Sequence, residues 1–437
     1  MARRRTTLTT PLPERTVASP TELRDAVTRL ERADVIGLDT EFIGEESYRP
    51  ELCLIQIATA RELLLIDPYV CGDLKPFWDT IHDPSKIVVV HAGREEVRMA
   101  YFASGNKPRN VFDLQIAAGL VGYLYPIGYA GLVQEVLHQR MNKSETLTDW
   151  RRRPLSLSQI RYAYDDVRHL IPIHAHLHGK LVKWDRTHWA AEEFHEFIEH
   201  STNEEVAVEK WRKVKGLGVL ARRELAVARE LFSWREDFAS RTNRPGRYLM
   251  LDDLLLEVCR RIPSNLEELQ AFRGLPRSEM GAILDAVQRG ASLPSGSWPA
   301  LMSRDGDPPQ VNALANLLSI ALGELCRNLK LAPNLAATQT DLKILVRTLG
   351  GTDAAADGCG LRHGWRAAAI LPFLERILAG SLVLRVGNPN SRHPVRFEPY
   401  ASANSDDRMP KTLEDDDEEP DDPDQPANDD RDDDSEL

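Results

Sequence analysis

Apolar positions in the first ninety residues come in short runs. Residues 35–42, 52–59 and 62–67 are three such runs separated by turn-sized gaps, a spacing that predicts consecutive strands of a β-meander. Residues 21–32 repeat apolar positions at helical spacing behind Pro20, and 73–82 do the same, whereas 86–90 is an unbroken apolar run of the kind a buried strand shows. From Glu95 onward helical periodicity takes over. Strands first, then strands and helices mixed, predict an α/β or α+β domain over residues 21–200, preceded by a flexible segment at 1–20.

Beyond Asn203 the pattern is helical throughout. Candidate helices at 209–213, 221–242, 252–260, 265–272 and 277–288 are separated by Pro245-Gly246, Pro263-Ser264 and Gly274, which predicts a compact helical module over 206–292. Residues 291–309 read as a linker rich in Pro, Ser, Gly and Asp. A second helical block follows at 308–382, interrupted by a Gly/Ala/Asp stretch at 350–360. Residues 402–437 hold almost no apolar side chains and are expected to be disordered.

Charge changes its meaning when divided along the chain. The whole sequence carries 55 Lys+Arg and 67 Asp+Glu, a net of -12. Residues 406–437 hold 17 acids and three bases, so the remaining body is close to neutral at +2, and 206–292 is basic at +4. A polyanionic partner is therefore compatible with the body, and the acidic tail reads as a solubilising segment or a competitor for a basic groove. No apolar run reaches the roughly 18 residues of a membrane-spanning helix. The five cysteines (Cys53, Cys71, Cys259, Cys326 and Cys359) are scattered and lack CxxC spacing, which argues against a disulfide framework or structural zinc and for a reducing, cytoplasmic setting.

Three segments carry candidate chemistry. In Asp39-Thr40-Glu41-Phe42 the two acids are two apart on a strand, share a face and can converge on one cation; a strand end emerging into solvent would look the same. In residues 160–167, Tyr162 and Asp166 are four apart on one helical face, where a core tyrosine beside a solvated aspartate is the plainer reading; Asp165 projects elsewhere. In residues 88–96 an apolar strand runs through His91-Ala92-Gly93 into a helix opened by Glu95 and Glu96, which would also favour the helix dipole.

Together these segments form the pattern of the DEDD exonucleases in their tyrosine version, and the sequence resembles the ribonuclease D family. The likeness runs through Leu52-Cys53-Leu54-Ile55-Gln56-Ile57, His91-Ala92-Gly93, Phe112-Asp113-Leu114-Gln115, Thr148-Asp149-Trp150 and Arg153-Pro154-Leu155, in the family's order. The resemblance implies an RNase H-like mixed sheet with flanking helices and 3′-to-5′ hydrolysis of nucleic acid. It also implies two divalent cations, Mg²⁺ or Mn²⁺, on Asp39, Glu41, Glu96 and Asp166. Hard cations suit such oxygen ligands, and a pair about 4 Å apart can stabilise both attacking and leaving oxygens. Tyr162 would hold or deprotonate the attacking water. One position departs: the family carries Asp where this chain has Glu96, one methylene longer, which either shifts the second metal by about 1 Å, a misplacement that can cost roughly a hundredfold in rate, or is absorbed by a backbone adjustment.

Further residues follow from the same resemblance. Phe42 would pack against terminal bases, with Gln56 and His91 beside the substrate groove. Residues 143–153 mix Lys143, Arg151, Arg152 and Arg153 with Trp150, a combination suited to phosphates and stacking. His174 and His178, four apart, are read as surface histidines in preference to a metal pair. Residues 206–292 resemble an HRDC domain, with Arg222, Arg223, Arg244 and Arg247 as candidate phosphate contacts, and 308–382 resemble a second HRDC repeat.

The functional expectation is a metal-dependent 3′–5′ exoribonuclease trimming RNA 3′ ends, tRNA precursors by resemblance. Two alternatives stay open: a 3′–5′ DNA exonuclease, since the carboxylates do not inspect the sugar, and a nucleic-acid-binding protein whose catalysis is weakened by Glu96.

Overall fold

The computed structural model describes residues 11–44, 46–141, 148–203, 210–301, 307–349, 358–390 and 394–400. The three leading apolar runs form the expected meander: β2 (Val35–Ile43) pairs antiparallel with β3 (Glu51–Ala58), and β3 with β4 (Leu63–Ile66). On the other side of β2, β5 (Ile87–Val90) and β6 (Val111–Asp113) add in parallel. A further strand, β1 (Glu14–Val17), runs parallel to β4 at the opposite edge, giving the order β1-β4-β3-β2-β5-β6. This edge strand falls where the sequence predicts a flexible lead. Its four residues Glu-Arg-Thr-Val bury only Val17, too little for a local pattern, and pairing with β4 decides the matter.

Helices cover both faces. α1 (Pro20–Leu30), capped by the Ser19 hydroxyl, buries Leu23, Ala26, Val27 and Leu30. With α2 (Pro68–Cys71), α3 (Lys75–Ile81) and α4 (Arg94–Ser104) it closes a core that includes Ile36 and Leu38 of β2. α5 (Leu114–Leu120) and α6 (Tyr129–Leu137) lead to α7 (Leu157–Arg168), which packs on β2, β3 and β4, and to α8 (Leu170–Lys183) and α9 (Thr187–Thr202). Gly37 lets α8 sit directly on β2, because a Cβ there would stand 3.0 Å from Leu170 Cδ1.

The helical region follows the sequence pattern with local differences. A 3₁₀ turn at Lys210–Lys213 replaces the first expected helix. α10 (Arg222–Thr242), α11 (Gly246–Leu249), α12 (Asp252–Arg261), α13 (Leu266–Gln270) and α14 (Met280–Ser292) close around Trp211, Leu225, Leu231, Leu255 and Ile283. The second block comprises α15 (Pro309–Leu329), α16 (Pro333–Ala336), α17 (Gln339–Leu349), α18 (Gly364–Ala369) and α19 (Leu371–Leu378). It is anchored on the sheet domain through Arg186, whose guanidinium donates to the Leu120 and Lys330 carbonyls, and through Glu193, which accepts from Arg366 and the Trp365 indole.

From Ala379 onward a separate unit holds the hairpin β7 (Leu382–Val386) and β8 (Val395–Pro399), where the sequence predicts helix up to 382. Most of the stretch at 350–360, and the acidic tail, lie outside the described residues. No described helix is long and apolar enough to cross a membrane, and the five cysteines are free and buried.

Candidate active site

β2 carries the first two acids at the centre of the sheet. Asp39 stands opposite Gln56 in the β2–β3 register, and the pairing shifts between Glu41 and Phe42, so the strand bends where its acidic face ends. Gln56 is fully buried, and its amide approaches Glu41 Oε1 at 3.5 Å.

The turn after β5 aims the next carboxylate. Ala92 adopts φ 53°, and a Cβ on Gly93 would collide with Val90 at 2.4 Å, so this sharp turn needs its glycine. Asp113 fixes the turn: its carboxylate accepts from Gly93 N at 3.0 Å and from Gln115 N at 2.8 Å. α4 then starts with Glu96 in its first turn, buried, with Oε1 accepting from the Thr40 hydroxyl at 2.6 Å.

α7 delivers the remaining pair. Ser156 and Gln159 form a capping box, and the Gln159 amide also donates to Thr148 and Asp149, tying the start of the helix to the preceding segment. Tyr162 and Asp166 then face β2, while Asp165 turns away to pair with Arg168 at 2.9 Å. Asp39, Glu41, Tyr162 and Asp166 meet at a cavity of about 230 Å³ that His91, Tyr129 and Leu170 also line.

Electrostatics show that Glu96 belongs to the same cluster. Burial raises the Asp39 carboxyl well above its ordinary value, and repulsion from Glu96, Asp166 and Glu41 adds to it. Burial first, then Asp166 and Glu96, push Glu41 up to about 8. Burial takes Glu96 to about 7 against the Thr40 hydrogen bond, and Asp166 to about 7 against the neighbouring Tyr162 hydroxyl. Among the described residues none of the four forms an ion pair with Lys, Arg or His, so the cluster lacks the positive charge that would stabilise it.

A divalent cation fits that deficit. No three His, Cys, Asp or Glu side chains among the described residues close on one point. Mg²⁺-type sites do not require it, since they use one or two carboxylates and complete the shell with water and phosphate oxygens.

The auxiliary residues separate into two groups. His91 lines the cavity with its ring 5.4 Å from that of Tyr129, and burial lowers it to about 4, leaving the imidazole neutral. Phe42 is half-buried at the end of the same strand. Gln56 and Trp150, expected from sequence to bind substrate, are instead buried and do not line the cavity: Gln56 abuts Glu41, and Trp150 lies 6.1 Å from the Tyr162 ring. Arg153, expected on phosphate, forms a two-point pair with Asp67 and holds this segment to β3 through the Cys53 carbonyl. Arg151 bridges Glu46 and Asp149, and Lys143 lies outside the described residues.

Other expectations also shift. His174 is not on the surface: it is buried edge-on against Phe112 and stacked on His178. Arg222 donates to the Trp298 and Pro299 carbonyls, whereas Arg223 and Arg244 are exposed. Thr40 and Tyr129 are site residues that sequence reasoning missed. Tyr129 is held by accepting from His169 N at 3.2 Å, a contact between helices that leaves no local signal.

Comparisons with known proteins agree with this geometry. The profile of a 3′–5′ exonuclease domain matches residues 15–182, and that of the HRDC domain matches 224–283. The chain is 32% identical over 383 residues to ribonuclease D of Bartonella henselae, covering 85% of this chain and 92% of that protein. It is 33% identical over 380 residues to ribonuclease D of Nitrobacter hamburgensis, covering 85% and 96%. The crystal structure of Escherichia coli RNase D, an exoribonuclease involved in structured RNA processing, matches with a TM-score of 0.72 at 26% identity, covering 84% of this chain and 98% of that one. The sheet, the clustered carboxylates and these relatives lead to one conclusion: the chain belongs to the ribonuclease D family and is a hydrolytic 3′–5′ exonuclease.

Proposed function

We propose that this exonuclease trims RNA 3′ ends, tRNA precursors among them, in the cytoplasm, with Asp39, Glu41, Glu96 and Asp166 holding two divalent cations, Mg²⁺ or Mn²⁺. The observation that carries the reading is the meeting of Asp39, Glu41, Asp166 and Tyr162 at one cavity, with Glu96 buried close enough to raise Asp39 and Glu41, and with no ion-paired cationic side chain among the described residues. When bound, such ions supply a hydroxide and neutralise charge on the attacking and leaving oxygens.

The chain's own residues do the positioning. The cavity is small, of a size for the terminal nucleotide, and Phe42 ends the strand that carries Asp39 and Glu41. Burial and the neighbouring carboxylates raise the Tyr162 hydroxyl above its ordinary value, so it stays protonated near neutral pH. The hydroxyl donates to Asp166, which places the Tyr162 oxygen where it holds the attacking water. Trp150 and Gln56 fix Tyr162 and Glu41 from behind, and neutral His91 offers the cavity an uncharged ring.

A second reading rests on one contact. The Thr40 bond occupies an oxygen of Glu96, which supports a nucleic-acid-binding protein with weakened catalysis. Glu96→Asp separates the two: a large gain in turnover identifies a weakened site, and little change identifies a working variant. Matched RNA and DNA oligonucleotides labelled at the 5′ end test sugar preference, with faster shortening of RNA expected and equal rates counting against an RNA-specific role.

A further inference from the structure

A cleft of about 550 Å³, larger than the catalytic cavity, lies apart from it. It opens between the exonuclease domain and α10, with walls from α4, the β2–β3 connection, the end of α9 and α10. We propose that it is a second binding site for the RNA strand, taking backbone phosphates on the 5′ side of the nucleotide held in the catalytic cavity; this rests on the exonuclease reading above.

Charge is the first argument. Arg49, Arg94 and Lys210 line the cleft, and among the described residues none has a carboxylate partner. Three acids share the lining against the five cations Arg49, Arg94, Arg98, Lys210 and Arg229: Glu230 lies between Arg229 at 3.5 Å and Arg289 at 3.7 Å, Glu236 accepts from the Tyr48 hydroxyl at 3.5 Å, and Asp237 completes the set. Unpaired cations in a concave site concentrate a polyanion.

The aromatic content is the second. Phe102 is 40% exposed within the cleft, with the Arg49 and Arg98 guanidinium groups 5.4 Å and 5.6 Å from its ring centre. An exposed ring flanked by guanidinium groups offers a stacking surface beside phosphate contacts, the combination that holds single-stranded nucleic acid. An acidic peptide would use the charges and leave the ring idle.

Placement is the third. Arg94 opens α4 two residues before Glu96 and three after His91, and Arg49 lies on the connection leaving the strand of Asp39 and Glu41. That connection is fastened to α10, with Arg49 N donating to Asn243 Oδ1 at 2.9 Å beside the Tyr48–Glu236 bond. The walls are thus set before a strand arrives, and they share their elements with the catalytic cavity.

The test uses the full chain carrying Arg94→Gln with Lys210→Gln, and separately Phe102→Leu. Affinity for a single-stranded RNA of about twelve nucleotides is measured in EDTA across a salt series, and turnover of a trinucleotide is measured with Mn²⁺. For the double variant the dissociation constant should rise about tenfold at low salt, and the slope of log affinity against log salt should flatten by roughly 1.4, or ~0.7 per lost phosphate contact. Phe102→Leu should weaken binding about fivefold. Trinucleotide turnover should stay within about twofold, since the lost contacts lie outside the catalytic cavity. Unchanged affinity and slope overturn the proposal, as does an equal loss on trinucleotide and long RNA. Weakened binding of a nucleoside monophosphate with long RNA unaffected would identify a product site and overturn it too. If no form of the protein shortens RNA while the affinity difference persists, the catalytic reading fails and the cleft proposal stands.

Discussion

The Thr40 hydroxyl donates to Glu96 Oε1 at 2.6 Å, joining the one residue of β2 that sits between the two acids to the carboxylate that arrives from α4. Thr40 points to the strand face opposite Asp39 and Glu41, the face that α4 covers. The bond fixes one oxygen of the buried Glu96 carboxylate. Replacing Thr40 by Val removes the donor from a buried carboxylate, a loss on the order of 1–3 kcal/mol. The expected outcome is a lower thermal midpoint and weaker Mn²⁺ binding by calorimetry, with Thr40→Ser close to the parent. In a Glu96→Asp background the effect should shrink, because the shorter side chain withdraws from Thr40. A Thr40→Val protein matching the parent in both measurements would show that the bond positions nothing.

Stability should depend on pH in a direction set by the raised carboxyls. Asp39 lies well above its ordinary value, Glu41 near about 8, and Glu96 and Asp166 near about 7. Between the ordinary carboxylate range and these values the folded protein keeps protons that the unfolded chain has released, so stability falls as pH rises. In EDTA the thermal midpoint should drop between about pH 5 and about pH 8, and Mn²⁺ should reverse most of the drop by neutralising the ionised cluster. A midpoint independent of pH in EDTA would contradict the electrostatics.

Tyr162 and Trp150 should fail differently. Tyr162→Phe removes the hydroxyl alone and should lower kcat about a hundredfold or more with little change in thermal midpoint. Trp150→Leu hollows a buried position behind Tyr162, costing on the order of 3 kcal/mol, and should lower kcat while leaving KM for RNA in place. A raised KM with unchanged kcat would mean that the indole touches substrate.

Local spacing shows which acids share a face, and the family resemblance shows that they belong together. Asp39 and Glu41 two apart on a strand, and Tyr162 and Asp166 four apart on a helix, share a face by periodicity, while their union in one site is legible through the resemblance to the ribonuclease D family. What stays hidden is set by partners distant in sequence. Thr40 meets Glu96 across 56 residues, Tyr129 meets His169 across 40, and Arg153 meets Asp67 across 86, which turns an apparent phosphate ligand into a brace. The edge strand β1 is legible only through β4, and the burial of Trp150 and Gln56 only through the packing of α7 on the sheet.

The second helical block should depend on a buried ion pair. The Arg366 guanidinium meets Glu193 and also donates to the Leu335 and Ala336 carbonyls, beside Trp365 stacked 4.6 Å from Trp189. Arg366→Met strands a buried carboxylate and should destabilise this contact by about 3–5 kcal/mol. Hydrogen exchange should quicken in α9 and α18, with trinucleotide hydrolysis unaffected. Unchanged exchange would mean that aromatic stacking alone holds the block.

The central claim is that Asp39, Glu41, Asp166 and Tyr162 at one cavity, with Glu96 beside them, hydrolyse RNA from its 3′ end with divalent cations. A time course on 5′-labelled single-stranded RNA tests it directly. In Mn²⁺ or Mg²⁺ the label should move through successively shorter products, and EDTA or Asp39→Asn should abolish the shortening. RNA that is bound yet remains full length in the presence of either cation would contradict the account.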